Sequence, residues 1–481
     1  MAPPSERPSM PMPIHYKEIG SWVMMQPSLA KARQNDPWWT VFHDETLNQL
    51  ERGVTLGNEN LKVAFSRYQE AKSVALATQS QLYPTILGEG GMSRQQNSAV
   101  VANSKHQPNW LYNTLTAGAV LSYQVDAWGR IYNEVSASDH AARASEFDLA
   151  TVDLSSHSLL ASVYFELRGD NAVQIRLDRI VRAYEYALYL THQLHKDGAV
   201  SALDEDQADT YFENAKTAAL NMRLKRAQLE HALAVLVGEI PANFHLPPVK
   251  KTIHFVAISP ELPSTLLQNR PDVAAAAERV QSANATIGVA RAAFFPDLTL
   301  SGILGHQTQK PSSLFASKSL IWSLGPPSGL VMLPPEITQV LFDGYYLQAN
   351  LSLAKASYFE AVHQYRQTVL TAFQEVEDSL IASHRLTQES KTQRSSTVAA
   401  KRALYQVKQR MIEGMDTYLG VVNIENEALQ SQINLINIHT RRQLASVNLI
   451  VALGGGWHVD RQFKENTKRL IYPITVQEET V

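Results

Sequence analysis

Two very long stretches of the chain have the pattern of continuous helices. Residues 130–197 contain no proline and a single glycine, and residues 345–413 contain neither. Proline costs about 3 kcal/mol and glycine about 1 kcal/mol in a helix interior, so their absence predicts helix. Apolar residues recur at helical spacing, as at Leu370, Phe373 and Val376. Such a helix, at about 1.5 Å per residue, exceeds any globular core and indicates a coiled-coil-like rod or a tall bundle.

A glycine turn follows each long helix, and a shorter helix comes next. The turns lie at 195–204 and 411–420, and the shorter helices close at Gly238 and Gly454. Glycine just past a helix end suits the left-handed C-cap conformation. The pattern therefore predicts two helical hairpins with tight tips.

Ahead of the first long helix, the apolar period changes from helical to alternating. In 111–126 the alternating positions are Leu115, Ala117, Ala119, Leu121, Tyr123 and Val125. This period is typical of a strand with one apolar face. Segments 85–98, 297–307 (with Leu298 and Leu300) and 328–341 have the same pattern more weakly. We predict four strands in the chain, two from each half.

The two halves of the chain repeat one another. Gly198, Leu203 and Gly238 recur as Gly414, Leu419 and Gly454, 216 positions on, and Tyr83-Pro84 recurs as Phe295-Pro296, 212 positions on. Further helices, near 45–80 and 262–293, precede these two prolines. Such repetition indicates a duplicated module. The expected organisation is an extended segment 1–36, a first repeat 37–238, a linker 239–261, a second repeat 262–456 and a tail 457–481.

Composition narrows the function classes. The 43 basic and 46 acidic residues are balanced and interspersed, so no strong field points to nucleic acid. Cysteine is absent, which excludes disulfides, thiol catalysis and cysteine-ligated metals. The chain contains no run of 18 or more apolar residues, so the sequence predicts no transmembrane helix. The chain lacks HExxH, GxSxG and phosphate-loop motifs, so we expect neither an enzyme nor a cofactor.

Four strands cannot close a barrel with an interior, yet an open sheet leaves exposed edges. Outer-membrane barrels have at least eight strands and show a similarly weak alternating signal. A ring of two, three or four chains would supply 8, 12 or 16 strands, continued by a helical barrel. A soluble helical rod capped by two hairpins stays the alternative.

Five segments, in order along the chain, carry a resemblance to a known family. They are "PWWTVFHDETLNQLERGVTLGNENL" (37–61), "RPDVAAAAERVQSANATIGVARAAFFPDLTLSG" (270–302), "VLFDGYY" (340–346), "YRQTVLTAFQEVEDSL" (365–380) and "ALGGGW" (452–457). The chain resembles the TolC-like outer-membrane efflux proteins, in their OprM/NodT lipoprotein branch.

The resemblance implies a mainly α-helical homotrimer with a 12-stranded β-barrel in the outer membrane and a long α-helical barrel across the periplasm. It implies an exit duct for drugs or other small molecules in a tripartite efflux pump, with a periplasmic adaptor and an inner-membrane transporter of the resistance-nodulation-division type as partners. No reaction is catalysed in such a duct.

Two features depart from the family pattern. The branch carries a lipid-modified cysteine at the mature N-terminus, and this chain has none. We expect the sequence to start near the mature N-terminus, with Met1 added and the native form lipidated. The double proline Pro334-Pro335 falls inside a predicted strand, where we expect a strand start or a bend.

The hairpin tips hold the candidate functional residues. By resemblance, Asp416 takes the place of a carboxylate ring that closes the pore; alternatively, it stabilises the next helix at its N-terminus. Asp204 is a second gate candidate, and Met411 and Met415 are expected to add an apolar layer. Resemblance also implies that the tips meet the adaptor through Gly198, Val200, Leu203, Gly414 and Leu419, for which ordinary turn chemistry is the alternative.

Segments 99–108 and 308–320 are expected at the extracellular mouth. His192 and His195 share a helix face near a tip, but two ligands without a third give little reason to expect a metal site. Besides efflux, the sequence leaves open a duct for type I protein secretion in the same fold, and a soluble coiled-coil scaffold.

Overall fold

The computed structural model describes residues 16–18, 37–96, 111–247, 270–324, 336–455 and 457. Several predictions fall outside these residues, namely the loop at 99–108, Pro334-Pro335, and most of the N-terminal segment, the linker and the tail. The chain divides into two compact units. The first comprises 1–9, 67–146 and 275–366, and the second comprises 10–66, 147–274 and 367–481.

The helices follow the predicted pattern closely. In chain order they are α1 (Glu45–Gly57), α2 (Glu59–Gln79), α3 (Arg130–Lys196), α4 (Ala202–Val237), α5 (Pro271–Ala292), α6 (Tyr346–Ile412) and α7 (Tyr418–Ala452). The two longest, α3 and α6, contain 67 residues each. None of the helices within the described ranges is long and apolar enough to cross a membrane.

The prediction of one helix over 45–80 was wrong, because the chain breaks at Asn58. Asn58 is extended (φ −68°, ψ 114°) and ends α1. Its side chain accepts a hydrogen bond from the Leu61 N–H (3.0 Å) and so caps the start of α2. The Gly57-Asn58 pair is the signal in the sequence for this break.

The first unit contains an antiparallel sheet of β1 (Thr85–Gln96), β2 (Leu111–Val125), β3 (Asp297–Thr308), β4 (Leu320–Leu324) and β5 (Glu336–Thr338). The order is β1-β2-β3-β4, and β5 pairs with the start of β3, on which Asp297 lies opposite Thr338. The fourth position of the sheet is therefore shared by β4 and β5. The predicted strand 328–341 missed β4, and segment 308–320 forms two short 3₁₀ turns before β4 begins.

The second unit contains the larger part of the helical hairpins α3–α4 and α6–α7, from residue 147 of α3 and residue 367 of α6. Their shared core includes Val173, Ile180 and Tyr184 from α3, with Val422 and Leu429 from α7. Burying large apolar side chains contributes about 1.5–3 kcal/mol each, so this cluster stabilises the packing of the two hairpins against each other.

The duplication is visible in a pair of equivalent hydrogen bonds. The side chain of Asn58 donates to the Leu236 carbonyl (2.9 Å), and that of Arg270 donates to the Ala452 carbonyl (3.1 Å). Positions 58 and 270 differ by 212, and 236 and 452 differ by 216, the same offsets that relate the two repeats. In each repeat, a residue preceding α2 or α5 thus fastens the end of the helix that closes the hairpin.

A buried ionisable pair joins α1 to α3. The Glu51 carboxylate lies 2.6 Å from His157 Nδ1, both side chains are almost fully buried, and Trp39 stacks on the imidazole. Burial raises the pKa of Glu51 to about 7, more than the hydrogen bond and charge of His157 lower it. Burial also opposes charging of His157, but hydrogen bonds and charges of Asp153 and Glu51 outweigh it and raise the pKa of His157 to about 9.

This pair predicts that stability falls as the pH rises. Both pKa values lie above their ordinary values of 4.5 and 6.5, so the folded protein binds these protons more tightly than the unfolded chain. The contribution of this pair to the free energy of unfolding is fully present below about pH 4.5. It is lost progressively as the pH rises through about 9. We expect the difference in Tm between acid and alkaline buffer to shrink in Glu51→Gln/His157→Gln, by the equivalent of a few kcal/mol. An unchanged pH profile in thermal unfolding would contradict this.

Candidate functional site

The first tip joins α3 to α4 in a short glycine turn. Gly198 has φ +72°, and the backbone N–H groups of Gly198 and Ala199 donate to the carbonyls of His195 (2.9 Å) and Leu194 (2.8 Å). This arrangement satisfies the last carbonyls of α3 and requires the left-handed conformation that glycine adopts freely. A substitution at Gly198 would therefore strain the turn, although nothing lies within 4 Å of the position of a Cβ.

Asp204 is engaged in capping α4. Its carboxylate accepts hydrogen bonds from the Ser201 N–H (2.9 Å) and hydroxyl (2.7 Å), while the Ser201 side chain caps the Asp204 N–H. This reciprocal pair is a capping box. The hydrogen bonds from Ser201 lower the pKa of Asp204. The geometry supports a helix-capping role for Asp204, which lies at the third helical position.

The histidines of the first tip share a carboxylate. Glu205 Oε1 lies 2.6 Å from His192 Nδ1, and Glu205 Oε2 lies 3.8 Å from His195 Nε2. The hydrogen bond with His192 lowers the pKa of Glu205. These contacts link the end of α3 to the start of α4 beside the turn. Within the described part of the chain, no group of three or more potential ligands has a geometry that holds a metal ion.

The second tip repeats the turn with different side chains. Gly414 has φ +76°, and Met415 N–H donates to the Arg410 carbonyl (2.8 Å). Thr417 caps α7, since its hydroxyl accepts a hydrogen bond from the Gly420 N–H (3.1 Å). The Asp416 carboxylate instead forms an ion pair with Arg410 Nε (3.0 Å). Among the candidates here, Met415 is 58% exposed and Met411 is half-buried.

The tip leucines differ in environment. Leu203 is 65% exposed, whereas Leu419 is partly buried and packs against the core that joins the hairpins. Val200 is half-buried, and its carbonyl lies 3.1 Å from His195 Nδ1. The two tips therefore share backbone geometry but present different surfaces.

Above the second tip, Glu425 binds two basic residues that sequence reasoning missed. Arg179 of α3 donates twice to Glu425 Oε1 (3.0 and 2.7 Å), and Lys408 of α6 donates to Oε2 (3.0 Å). Burial alone would raise the pKa of Glu425, but the hydrogen bonds and charges of Lys408 and Arg179 lower it. The contacts join α7 to α3 of the other hairpin and to α6 of its own. The 246 positions between Arg179 and Glu425 left no local signal in the sequence.

The sheet has one apolar and one polar face. Residues opposite one another in the ladder share a face, so the register places Leu121 with Ile86, Tyr123 with Leu300, and Val125 with Leu298. The apolar face comprises Ile86, Met92, Leu115, Ala117, Ala119, Leu121, Tyr123, Leu298, Leu300, Leu304, Leu320, Trp322, Leu324 and Ile337. The opposite face carries mostly Thr, Ser, Gln and Gly side chains. All seven predicted strand residues lie on the apolar face.

The apolar band has the height of a membrane core. From Leu115 to Val125 it spans ten residue steps of β2, about 34 Å along the strand and about 25 Å after a barrel-like tilt. Exposed aromatic residues follow at its base, including Tyr83, Phe342 and Tyr345. Trp128 stacks on Phe295 and donates to the Pro296 carbonyl (2.8 Å) there. Aromatic side chains of this kind mark membrane–water interfaces.

Comparison with known proteins identifies relatives over most of the chain. The model of the outer membrane efflux protein family matches residues 54–239 and 262–455. The toluene efflux pump outer membrane protein TtgC of Pseudomonas putida is 28% identical, covering 95% of this chain and 93% of its own. The cation efflux system protein CusC of Escherichia coli is 27% identical, covering 95% of each. The crystal structure of the Campylobacter jejuni CmeC outer membrane channel superposes with a TM-score of 0.88 at 24% identity, over 98% of this chain and 97% of that one.

Proposed function

The chain belongs to the outer membrane efflux protein family, and on that premise we propose that it is the outer-membrane exit duct of a tripartite efflux pump. The observation that carries the proposal is the match of the family model to both repeats, 54–239 and 262–455. The apolar and polar faces of the sheet support it, because a membrane barrel needs a lipid-facing and a water-facing side.

The protein acts as a homotrimer in the outer membrane. In the order β1-β2-β3-β4, β1 and β4 lie at the two edges of the sheet, and neighbouring subunits pair these edges to close a 12-stranded barrel. The apolar face contacts lipid, and the polar face lines the lumen. The helical hairpins extend into the periplasm, where they assemble with a periplasmic adaptor and an inner-membrane transporter of the resistance-nodulation-division type. The transporter supplies the energy, and the duct conducts passively.

The second tip is proposed to form the gate. Asp416 does not cap α7, since Thr417 does, and its carboxylate is held by Arg410 instead (3.0 Å). We propose that three such Arg410-paired carboxylates form a ring around the trimer axis. Such a ring attracts hydrated cations and resists close approach of its members. Met415 and Met411 are proposed to add the apolar layer. Asp204 has a weaker claim to the gate, because its carboxylate serves the capping box.

The hairpin tips are proposed as the adaptor-docking surface. Gly198 and Gly414 make both turns compact, and Leu203 is the exposed apolar anchor at the first tip. Leu419 contributes less accessible surface because it packs against the hairpin core. Val200 completes the first turn. The adaptor contact is therefore expected to be stronger at the first tip.

A deletion strain tests the proposed function. We expect loss of the gene to raise susceptibility to exported small molecules several-fold, and the complete chain to restore resistance. In the alternative, a duct for type I secretion, the same deletion would abolish export of a protein toxin and leave drug susceptibility unchanged. Recovery of the protein in the soluble fraction, without a trimer, would contradict both.

Cargo is the part of the function that the relatives leave most open. TtgC is named for toluene and CusC for cations, yet their identities to this chain differ by one percentage point, 28% against 27%. Their shared scaffold therefore serves chemically unrelated cargo. We propose that the transporter, rather than the duct, selects what is exported.

A further inference from the structure

The two membrane hairpins carry charge of one sign at the end remote from the helices. The sequence has no Asp or Glu between Glu89 and Asp126, nor between Asp297 and Glu336, so all 46 acidic residues of the chain lie outside these segments. The described basic residues within them are Arg94, Lys310 and Lys318, together with His306. Acidic residues return at the base of the sheet, where Asp297 lies 3.9 Å from Arg130. Neutrality of membrane strands alone does not explain this, because solvated loops normally carry both signs.

The ladder register places these basic residues at the upper border of the apolar face. Arg94 follows Met92 on that face and lies opposite Asn113. His306 lies opposite Ala117 and Leu320, directly above the pair formed by Leu304 and Trp322. Lys310 lies in the loop two residues after the last pair, Thr308 with Leu115, and so at the same end of the sheet as Arg94. One strand, β2, lies between β1 and β3, so two interstrand spacings, about 10 Å at 4.8 Å each, separate the strand of Arg94 from the strand that leads to Lys310.

The loop that carries both lysines is held in shape by hydrogen bonds. His306 Nδ1 lies 2.9 Å from the hydroxyl of buried Ser319, which in turn donates to the Leu314 carbonyl (2.6 Å). Thr308 and Ser313 join their hydroxyls (2.8 Å) below Lys310. Lys310 and Lys318 are exposed, and Phe315 between them is 76% exposed. The loop thus presents two ammonium groups around an aromatic side chain.

From this arrangement we propose that the outer rim, the border of the sheet that carries Arg94, Lys310 and Lys318, binds the phosphorylated headgroups of glycolipids in the outer leaflet of the membrane. Arg94, Lys310 and Lys318 supply cationic donors for phosphate, and Trp322 and Phe315 pack against the acyl and sugar region. The lipid source, rather than free phosphate, is favoured because Arg94 and His306 lie on the lipid-facing side of the sheet and the loop with both lysines adjoins it. The inference rests on the outer-membrane location given above, but not on what the duct exports.

The test measures lipid binding by the purified full-length trimer in neutral detergent, using native mass spectrometry. Bisphosphorylated lipid A is compared with the same lipid after removal of its phosphates, and with phosphatidylglycerol. We expect bisphosphorylated lipid A to bind at least about tenfold more tightly than the dephosphorylated form, with affinity that weakens as salt is raised. Arg94→Gln/Lys310→Gln/Lys318→Gln should lose most of this preference.

The matched control removes three exposed basic residues of α6, in Lys391→Gln/Lys401→Gln/Arg402→Gln, and should keep the preference. Equal binding of both forms of lipid A, an equal loss in the control, or displacement by inorganic phosphate at equal concentration would overturn the inference. Binding of phosphatidylglycerol as tight as that of lipid A would overturn the assignment to glycolipid. The lipid-binding inference and the proposed export function can fail separately. The variant with all three rim residues replaced should lose its preference for lipid A and still form trimers and conduct ions like the unmodified protein.

Discussion

Replacing Arg270 by alanine is expected to destabilise the protein by about 3 kcal/mol. The guanidinium is buried and binds Asp272 through two hydrogen bonds (3.0 and 2.6 Å). It also binds the Glu375 carboxylate (2.6 Å) and the Ala452 carbonyl (3.1 Å). One side chain therefore joins the start of α5 to α6 and to the end of α7. Its loss leaves Asp272 and the carbonyl without their partner, whereas Glu375 is about half exposed and regains water.

The matched control for this prediction is Arg441→Ala. Arg441 pairs with Glu389 at 3.4 Å, and both side chains are largely exposed, so its removal should cost at most about 1 kcal/mol. The measurement is the denaturant midpoint of both variants at one protein concentration, since trimer stability depends on concentration. Arg270→Lys should recover part of the loss, because it keeps the charge but not the two-pronged contact. Equal midpoints for Arg270→Ala and Arg441→Ala would refute the assigned role.

The helices were predictable because backbone propensity is a local property. The absence of proline and glycine over 130–197 and 345–413 placed α3 and α6 within one residue at each end. The strand predicted over 111–126 is found at Leu111–Val125 for a similar reason, a sustained alternation. The short β4 was missed because five residues hold too little of any period to stand out.

The side-chain contacts at the hairpin tips could not be predicted from local sequence. The glycine turns were evident, but whether Asp416 or Thr417 caps α7 depends on a shift of one residue in the helix start. The bridge from Glu425 to Arg179 joins residues 246 positions apart, so no spacing rule anticipates it. Pairing of side chains across helices is decided by tertiary packing.

Neutralising Asp416 is expected to raise the conductance of the trimer in a planar bilayer several-fold and to remove its preference for cations. The two repeats suggest why this residue matters. With the offset of 216, the ion pair of Arg410 and Asp416 occupies the positions of Leu194 and Val200 in the first repeat. The turn is the same in both tips, so the charged pair is an addition to a shared scaffold. In the gate proposed above, three such carboxylates around the axis would repel one another and would be stabilised by Arg410 and by cations in the pore.

Comparison of variants separates a gate from a structural role for this carboxylate. Asp416→Asn keeps the size of the side chain and removes its charge, so its effect on conductance and ion preference should match that of Asp416→Ala. Thr417→Ala removes the cap of α7, costs about 1 kcal/mol of stability, and should leave conductance unchanged. Asp204→Asn weakens the capping box of the first tip and should behave like Thr417→Ala.

If Asp416→Asn lowers stability without changing conductance, the residue serves the hairpin alone. If Asp204→Asn opens the pore equally, the gate draws on both tips, and the charged pair of the second repeat is not what closes it.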